Sequence, residues 1–264
     1  MTTSTDTLRL TLVQSDLVWQ DAASNRALLE AQISPLAGAT DLVLLPEMFT
    51  SAFVVGKGAV AETHPGPTLE WMQRMARELG AALAGSVAVR VDGAQFNRLL
   101  FVTPEGGLWH YDKRHLFRML GEHERYAAGK DKLLLTWRGW RLFPMVCYDL
   151  RFPVWCRNTA DEPYDLMLCV ANWPAPRSEH WSALLKARAI ENLAFVAGVN
   201  RVGRDGNDLD YAGQSVVHDP RGETLVHAGD RATLAHAELR RDSLTQWRER
   251  FPAWMDADHF QLLD

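Results

Sequence analysis

Three stretches of this sequence end a strand-like segment on a side chain with chemistry of its own. In "RLFPMVCYDLRFPVW", Arg141 to Trp155, the run stops at Cys147, and a second apolar segment starts at Phe152 and Pro153. A strand that halts on a nucleophile and turns into a helix forms an elbow. It pushes the side chain out of the sheet and aims the following backbone N–H groups at the same point. Cys147 has that setting, and the N–H of Tyr148 is then placed as an oxyanion donor. The competing reading is a buried structural thiol, the commonest fate of a free cysteine. That reading suits Cys169, inside the apolar run "LMLCVAN", and Cys156, on an apolar helix face.

A nucleophilic thiol needs a proton acceptor, and a cation nearby to keep its thiolate. "DLVLLPEMF" sets Glu47 directly after a buried strand, between Pro46 and Met48-Phe49, where a solvated carboxylate is out of place. In a dry site a glutamate's pKa moves upward, toward the range of a general base. "LWHYDKRHLF" sets Lys113 just past another strand, with His115, Leu116 and Phe117 following. A lysine between apolar neighbours can also simply snorkel to the surface. Taken one at a time, each of these signals is weak.

The elements that must position these residues are legible from periodicity. Leu8–Gln14, Asp41–Leu45, Ala82–Val91, Phe96–Thr103, Leu108–Asp112, Leu133–Trp137, Trp140–Val146, Leu166–Ala171 and Phe195–Asn200 read as strands. Asp92-Gly93 and Arg138-Gly139 are hairpin turns. Asp21–Leu36, Thr68–Leu79 (started by Gly66-Pro67), Pro153–Asn158 and Glu179–Asn192 read as helices. Gln214–His218, Thr224–His227 and Thr233–Leu239 are expected to finish one sheet edge. Many strands are apolar on both faces, which requires sheets covered by helices. Two mixed sheets packed face to face between helix layers fit the 264 residues.

LPEMF, YDKRHLF and CYDLRFP, in this order and spacing, resemble the carbon–nitrogen hydrolase (nitrilase) superfamily. The likeness runs from "LVQSDLVWQD" through "ANWPAPR" to "RAIENLAFVAGVNRVG", and is nearest to the bacterial omega-amidase branch. It implies a four-layer αββα sandwich over residues 1–264 as one domain, and a Glu–Lys–Cys triad at Glu47, Lys113 and Cys147. It also implies a second glutamate between Lys and Cys. "GEHERYAAGK" offers Glu122, seven residues before Gly129 and better spaced, with Glu124 as the alternative. The activity implied is hydrolysis of a small amide through a thioester, with no metal or organic cofactor. A homodimer or larger even assembly is implied as well.

Specificity needs another group. Arg151 follows the elbow by four residues, about one helical turn, and its planar fork suits a substrate carboxylate. An ion pair with Asp149 or another helix is an equal alternative. Trp173 in "ANWPAP" and Phe117 are placed to wall the pocket, with core packing as the plainer reading. The aromatic stretch "FPAWMDADHF" suggests a docking tail near residues 251–264, on a second subunit or on its own chain.

Composition narrows the alternatives. Net charge is −5 without a basic block, against nucleic acid or membrane as the partner. No signal peptide or apolar run of membrane-spanning length is visible. Three cysteines without a C-x-x-C fit reduced thiols in the cytoplasm, and speak against a zinc site or a thiol sensor built on Cys147 with His115 or His123. A deaminated-glutathione amidase or a true nitrilase remain the enzymatic alternatives.

Overall fold

The computed structural model describes residues 6–55 and 61–262. The first half of the chain supplies β1 (Thr7–Gln14), α1 (Ala22–Ile33), β2 (Leu42–Leu44), β3 (Glu62–Thr63), α2 (Pro67–Leu79), β4 (Ala82–Val91), β5 (Ala94–Val102) and β6 (Leu108–Asp112). The second half adds β7 (Leu135–Trp137), β8 (Trp140–Val146), α3 (Pro153–Cys156), β9 (Leu166–Ala171), α4 (Ser178–Asn192) and β10 (Phe195–Asn200). There follow β11 (Val202–Arg204), β12 (Asp210–Ala212), β13 (Val216–His218), β14 (Thr224–His227), β15 (Thr233–Arg240) and α5 (Arg241–Arg250).

One sheet runs β15-β1-β2-β4-β5-β6, with β3 alongside β4; the other runs β14-β13-β10-β9-β8-β7. Strand alternation sends each residue set to its own layer. Leu42 and Leu44, Ala82 and Ala84, and Leu99 and Phe101 meet the second sheet, whose Leu142, Val146 and Leu168 share that core. Their neighbours Val43, Leu45, Leu83, Leu100 and Val102 pack with Met72 and Met75 of α2 and with Leu29 and Ile33 of α1. On the far side, Trp181, Leu185 and Ala189 of α4 cover the second sheet. The architecture is the expected αββα sandwich.

Both expected hairpins form. Val91 pairs with Ala94 and Trp137 with Trp140. In each two-residue turn both residues have positive φ: Asp92 and Gly93, then Arg138 and Gly139. Two expectations need correction. The last strand does not stay on the second sheet's edge: β13 and β14 do, but β15 crosses over and pairs antiparallel with β1, from Thr7↔Arg240 to Gln14↔Thr233. Without it, the free edge of β1 would leave a row of backbone groups unpaired. The helix expected over Pro153–Asn158 lasts one turn, because Asn158 turns away. Its side chain binds the carbonyl oxygens of Tyr164 and Asn192 and accepts from Tyr164 N–H.

Candidate active site

β1, β2, β4 and, in the other sheet, β8, β9 and β10 run parallel within their sheets. Ligand sites in such sheets collect outside the carboxyl ends of the strands, where chain reversals leave room. Glu47 follows β2, and Cys147, Asn172 and Lys113 come directly after β8, β9 and β6. Each sheet thus brings its own residues to one shared place.

The loop carrying Glu47 is pinned onto β4. Met48 N–H donates to Ser86 Oγ at 2.9 Å, and Phe49 N–H to the Ser86 carbonyl at 3.1 Å. Gly85 makes that fit possible, since a Cβ there would come within 2.8 Å of Leu45 and Phe49. At the other wall, Cys147 holds φ at +47°, in the left-handed region that non-glycine residues avoid. The strained elbow is clamped from behind by Asp149. Its carboxylate accepts from Val146 N–H at 3.1 Å, His115 N–H at 2.9 Å, Tyr111 O–H at 2.8 Å and the His115 ring at 2.8 Å.

Glu47, Lys113 and Glu122 form one buried ionic cluster. Lys113 Nζ lies 2.9 Å from Glu47 Oε1, and 3.0 and 2.9 Å from the two oxygens of Glu122. Phe117 N–H donates to Glu122 Oε2 at 2.6 Å. Glu124 is exposed, so the alternative for the second glutamate falls away. Glu47 also accepts a hydrogen bond at 2.8 Å from Asn172 N–H. The thiol of Cys147 lies 3.9 Å from the Asn172 carbonyl oxygen, and the charge of the Glu47 carboxylate acts on it directly.

Burial works against charge on Lys113, but Glu122 and Glu47 outweigh it and hold the ammonium well above its ordinary pKa. Glu122 is pushed up by burial and by Glu47, against the pull of Lys113. The Cys147 thiol is also pushed well up, by burial first and by Glu47 second, with Lys113 opposing. This corrects the expectation of a resident thiolate. Two carboxylates already face one ammonium, and a third negative charge in a dry site costs too much. The thiol rests protonated, and its proton has an acceptor within hydrogen-bond reach.

A narrow cavity opens over Cys147. Phe53, Phe117, Tyr148, Trp173 and Tyr211 wall it, with Arg151 and Arg177 among its lining residues. The free space between the walls is about 20 Å³, room for about one water. Tyr148, Trp173, Phe117 and Arg151, all expected near the nucleophile, line this cavity. Arg151 does not pair with Asp149. Its guanidinium stacks 4.7 Å from the Trp173 ring centre, with Nη2 3.1 Å from His180 Nδ1.

A sequence model of the carbon–nitrogen hydrolase family matches residues 9–249. The chain belongs to the carbon–nitrogen hydrolase superfamily. It is 50% identical to the omega-amidase YafV of Escherichia coli K12 over 256 residues, 97% of this chain and 98% of that one. The 2-oxoglutaramate amidase of Bacillus subtilis is 31% identical, over 94% of this chain and 96% of its own length. Among solved structures, XC1258 of Xanthomonas campestris superposes with a TM-score of 0.94 at 50% identity, covering 97% of this chain and 99% of that one. That structure carries an arsenic adduct in its active site.

This carbon–nitrogen hydrolase has site residues that its sequence alone did not single out. Asn97, wholly buried on β5, donates to Glu47 Oε1 at 2.8 Å and to Glu122 Oε1 at 3.2 Å, tying the two carboxylates together. The available sign was a lone amide in the strand "AQFNRLLFV", but many such residues merely satisfy backbone. Asn172 grips Glu47 a second time, through Nδ2 to its carbonyl oxygen at 2.6 Å. Phe53, Tyr211 of β12 and Arg177 come from distant parts of the chain, and no spacing rule links them to Cys147. Among the described residues no group of three or more His, Cys, Asp and Glu is placed to hold a metal ion.

Proposed function

We propose that this chain is an omega-amidase that hydrolyses the ω-amide of a small α-keto acid, such as α-ketoglutaramate, to the dicarboxylate and ammonia. The observation that carries the reading is the Glu47–Lys113–Glu122 cluster beneath a thiol, in a cavity that also has Arg151 among its lining residues. The 50% identity to omega-amidase YafV supports the same substrate class.

The chemistry follows from the positions. Cys147 Sγ attacks the carboxamide carbon while Glu47 takes the thiol proton. Negative charge grows on the carbonyl oxygen, where Lys113 and Tyr148 N–H stabilise it; losing one such donor costs about 10²–10³ in turnover. The protonated Glu47 returns the proton to nitrogen, the C–N bond breaks, and ammonia leaves a thioester on Cys147. Water then attacks the thioester with Glu47 as base, releasing the carboxylate and restoring the thiol. Glu122 and Asn97 hold Lys113 and Glu47 in register throughout.

A cavity with so little free space admits only a thin, small substrate, and the side chains at its mouth must shift to receive it. Arg151 suits the substrate's carboxylate, with Trp173 and Phe117 as its walls. An α-ammonium group would meet like charge there, whereas a keto group does not. Ammonia release from α-ketoglutaramate, α-ketosuccinamate, glutamine, asparagine and a short nitrile tests the proposal. The keto-acid amides should lead by kcat/KM, and a preference for glutamine or the nitrile would overturn it.

The setting is proposed to be the cytoplasm, which fits three cysteines all unpaired among the described residues. No described helix is long and apolar enough to cross a membrane. We propose one domain over the whole chain, a homodimer or larger even assembly, and no nucleic-acid or membrane partner. The tail's last two residues lie outside the described ones.

A further inference from the structure

The cavity above Cys147 has two arginines in its lining and no carboxylate. Arg151 comes from the turn after the elbow. Arg177 comes from elsewhere, the last residue of the 3₁₀ turn Ala175–Arg177 that leads into α4. Its guanidinium lies 5.4 Å from the ring centre of Phe117, which in turn packs against Tyr148 at 5.0 Å. Arg151 lies against Trp173 in the same manner. Among the described residues, neither arginine forms an ion pair with an acid, whereas Arg9, Arg74, Arg98, Arg188 and Arg201 all do.

A guanidinium laid on an aromatic face keeps the N–H groups of its planar edge for a partner in its own plane. Here two such groups share one small cavity. Two like charges at a partly dry site repel, and a bound anion relieves both at once. We infer that Arg177 is a second specificity-determining residue, forming with Arg151 a two-armed clamp that closes on the substrate's carboxylate. The inference rests on the omega-amidase reading and adds to it the selection for a negatively charged end. The turn that carries Arg177 is anchored independently of its guanidinium: Trp173 Nε1 donates to the Arg177 carbonyl oxygen at 2.8 Å. Removing the side chain therefore leaves the wall in place.

The test compares wild type, Arg177→Ala and Arg177→Lys on two amides of equal length, α-ketoglutaramate and the uncharged pentanamide. Glutarate serves as an inhibitor that carries carboxylates without a scissile bond. Arg177→Ala should lower the preference for the keto-acid amide by at least about tenfold, through KM and not kcat, and weaken glutarate by a similar factor. Arg177→Lys should recover part of both. A wild type that takes pentanamide as readily as α-ketoglutaramate would sink the omega-amidase reading itself. A selective wild type whose preference and glutarate affinity survive Arg177→Ala would leave that reading standing and overturn the clamp. Equal losses on both amides would also overturn it, reducing Arg177 to a prop for Phe117.

Discussion

Counting formal charges around Lys113 gives two carboxylates against one ammonium, and that balance governs both the thiol and the variants. Because burial and Glu47 raise the Cys147 thiol, it is protonated across the neutral range. Its thiolate fraction, and hence its alkylation rate, should still be climbing steeply at about pH 10, where an ordinary thiol with a pKa of about 8.5 has nearly levelled off. A plateau below pH 8 in the iodoacetamide profile would contradict this. Cys156 and Cys169 are wholly buried, with Cys156 pushed up to about 12, so peptide mapping should find Cys147 labelled first. Cys147→Ala should abolish turnover, while Cys156→Ala and Cys169→Ala stay near wild type.

The same count separates the cluster variants. Glu47→Gln and Lys113→Met should each cost orders of magnitude in kcat. The double variant should lose far less than the product of the two, because both act in one constellation. Lys113→Met carries a further penalty: it leaves Glu47 and Glu122 facing each other unshielded, and breaking a buried pair costs about 3–5 kcal/mol. Its Tm should drop clearly, whereas Glu47→Gln, nearly isosteric, should stay closer to wild type. Glu122→Ala should impair turnover more than Glu124→Ala, whose side chain is in solvent.

At the scale of elements, the elbow is the part under strain. A short 3₁₀ turn, Cys147–Arg151, carries the nucleophile at positive φ, and Asp149 inside that turn holds it by four hydrogen bonds. These link the elbow to β6, through Tyr111, and to the loop after Lys113, through His115. Asp149→Ala would strand several buried donors, at about 1–3 kcal/mol each. Both Tm and kcat should fall, with KM for the amide changing less. Full activity in that variant would show that the elbow holds its shape without the clamp.

For the whole molecule, the exchange of β15 sets a late strand beside β1 in the first sheet. After it, α5 anchors the C-terminal region through Arg248, bonded to Asp165 at 3.1 Å and to the carbonyl oxygens of Leu193 and Tyr164. Beyond α5 the tail runs beside residues 157–162 of its own chain, flanking a cavity of about 680 Å³. Yet Phe251, Trp254, Met255, Phe260 and Leu262 remain 40–67% exposed. A run of exposed apolar side chains on one segment marks an association surface. The protein should therefore scatter light as a dimer or larger even assembly at micromolar concentration. Trp254→Asp with Met255→Asp should shift it toward monomer; a wild-type monomer would reject the proposal.

Most elements were legible because their signals are local. Short, nearly continuous apolar runs mark β2, β4 and β8, Asp92-Gly93 and Arg138-Gly139 allow the positive φ of tight hairpins, and a strand that breaks at Cys147 announces the elbow. The three triad positions share that property, each being a chemically active side chain just past the end of a strand. What joined them was resemblance, since no local rule measures the distance between Glu47 and Cys147. Only the folded chain decided the partners: which sheet takes β15, which glutamate meets Lys113, and where Asn97 and Arg177 stand. These depend on side chains from several strands and loops converging at one end of two packed sheets, and contacts of that kind leave no periodicity in the sequence. The protonation of Cys147 is likewise tertiary, because it depends on how many buried charges stand around it.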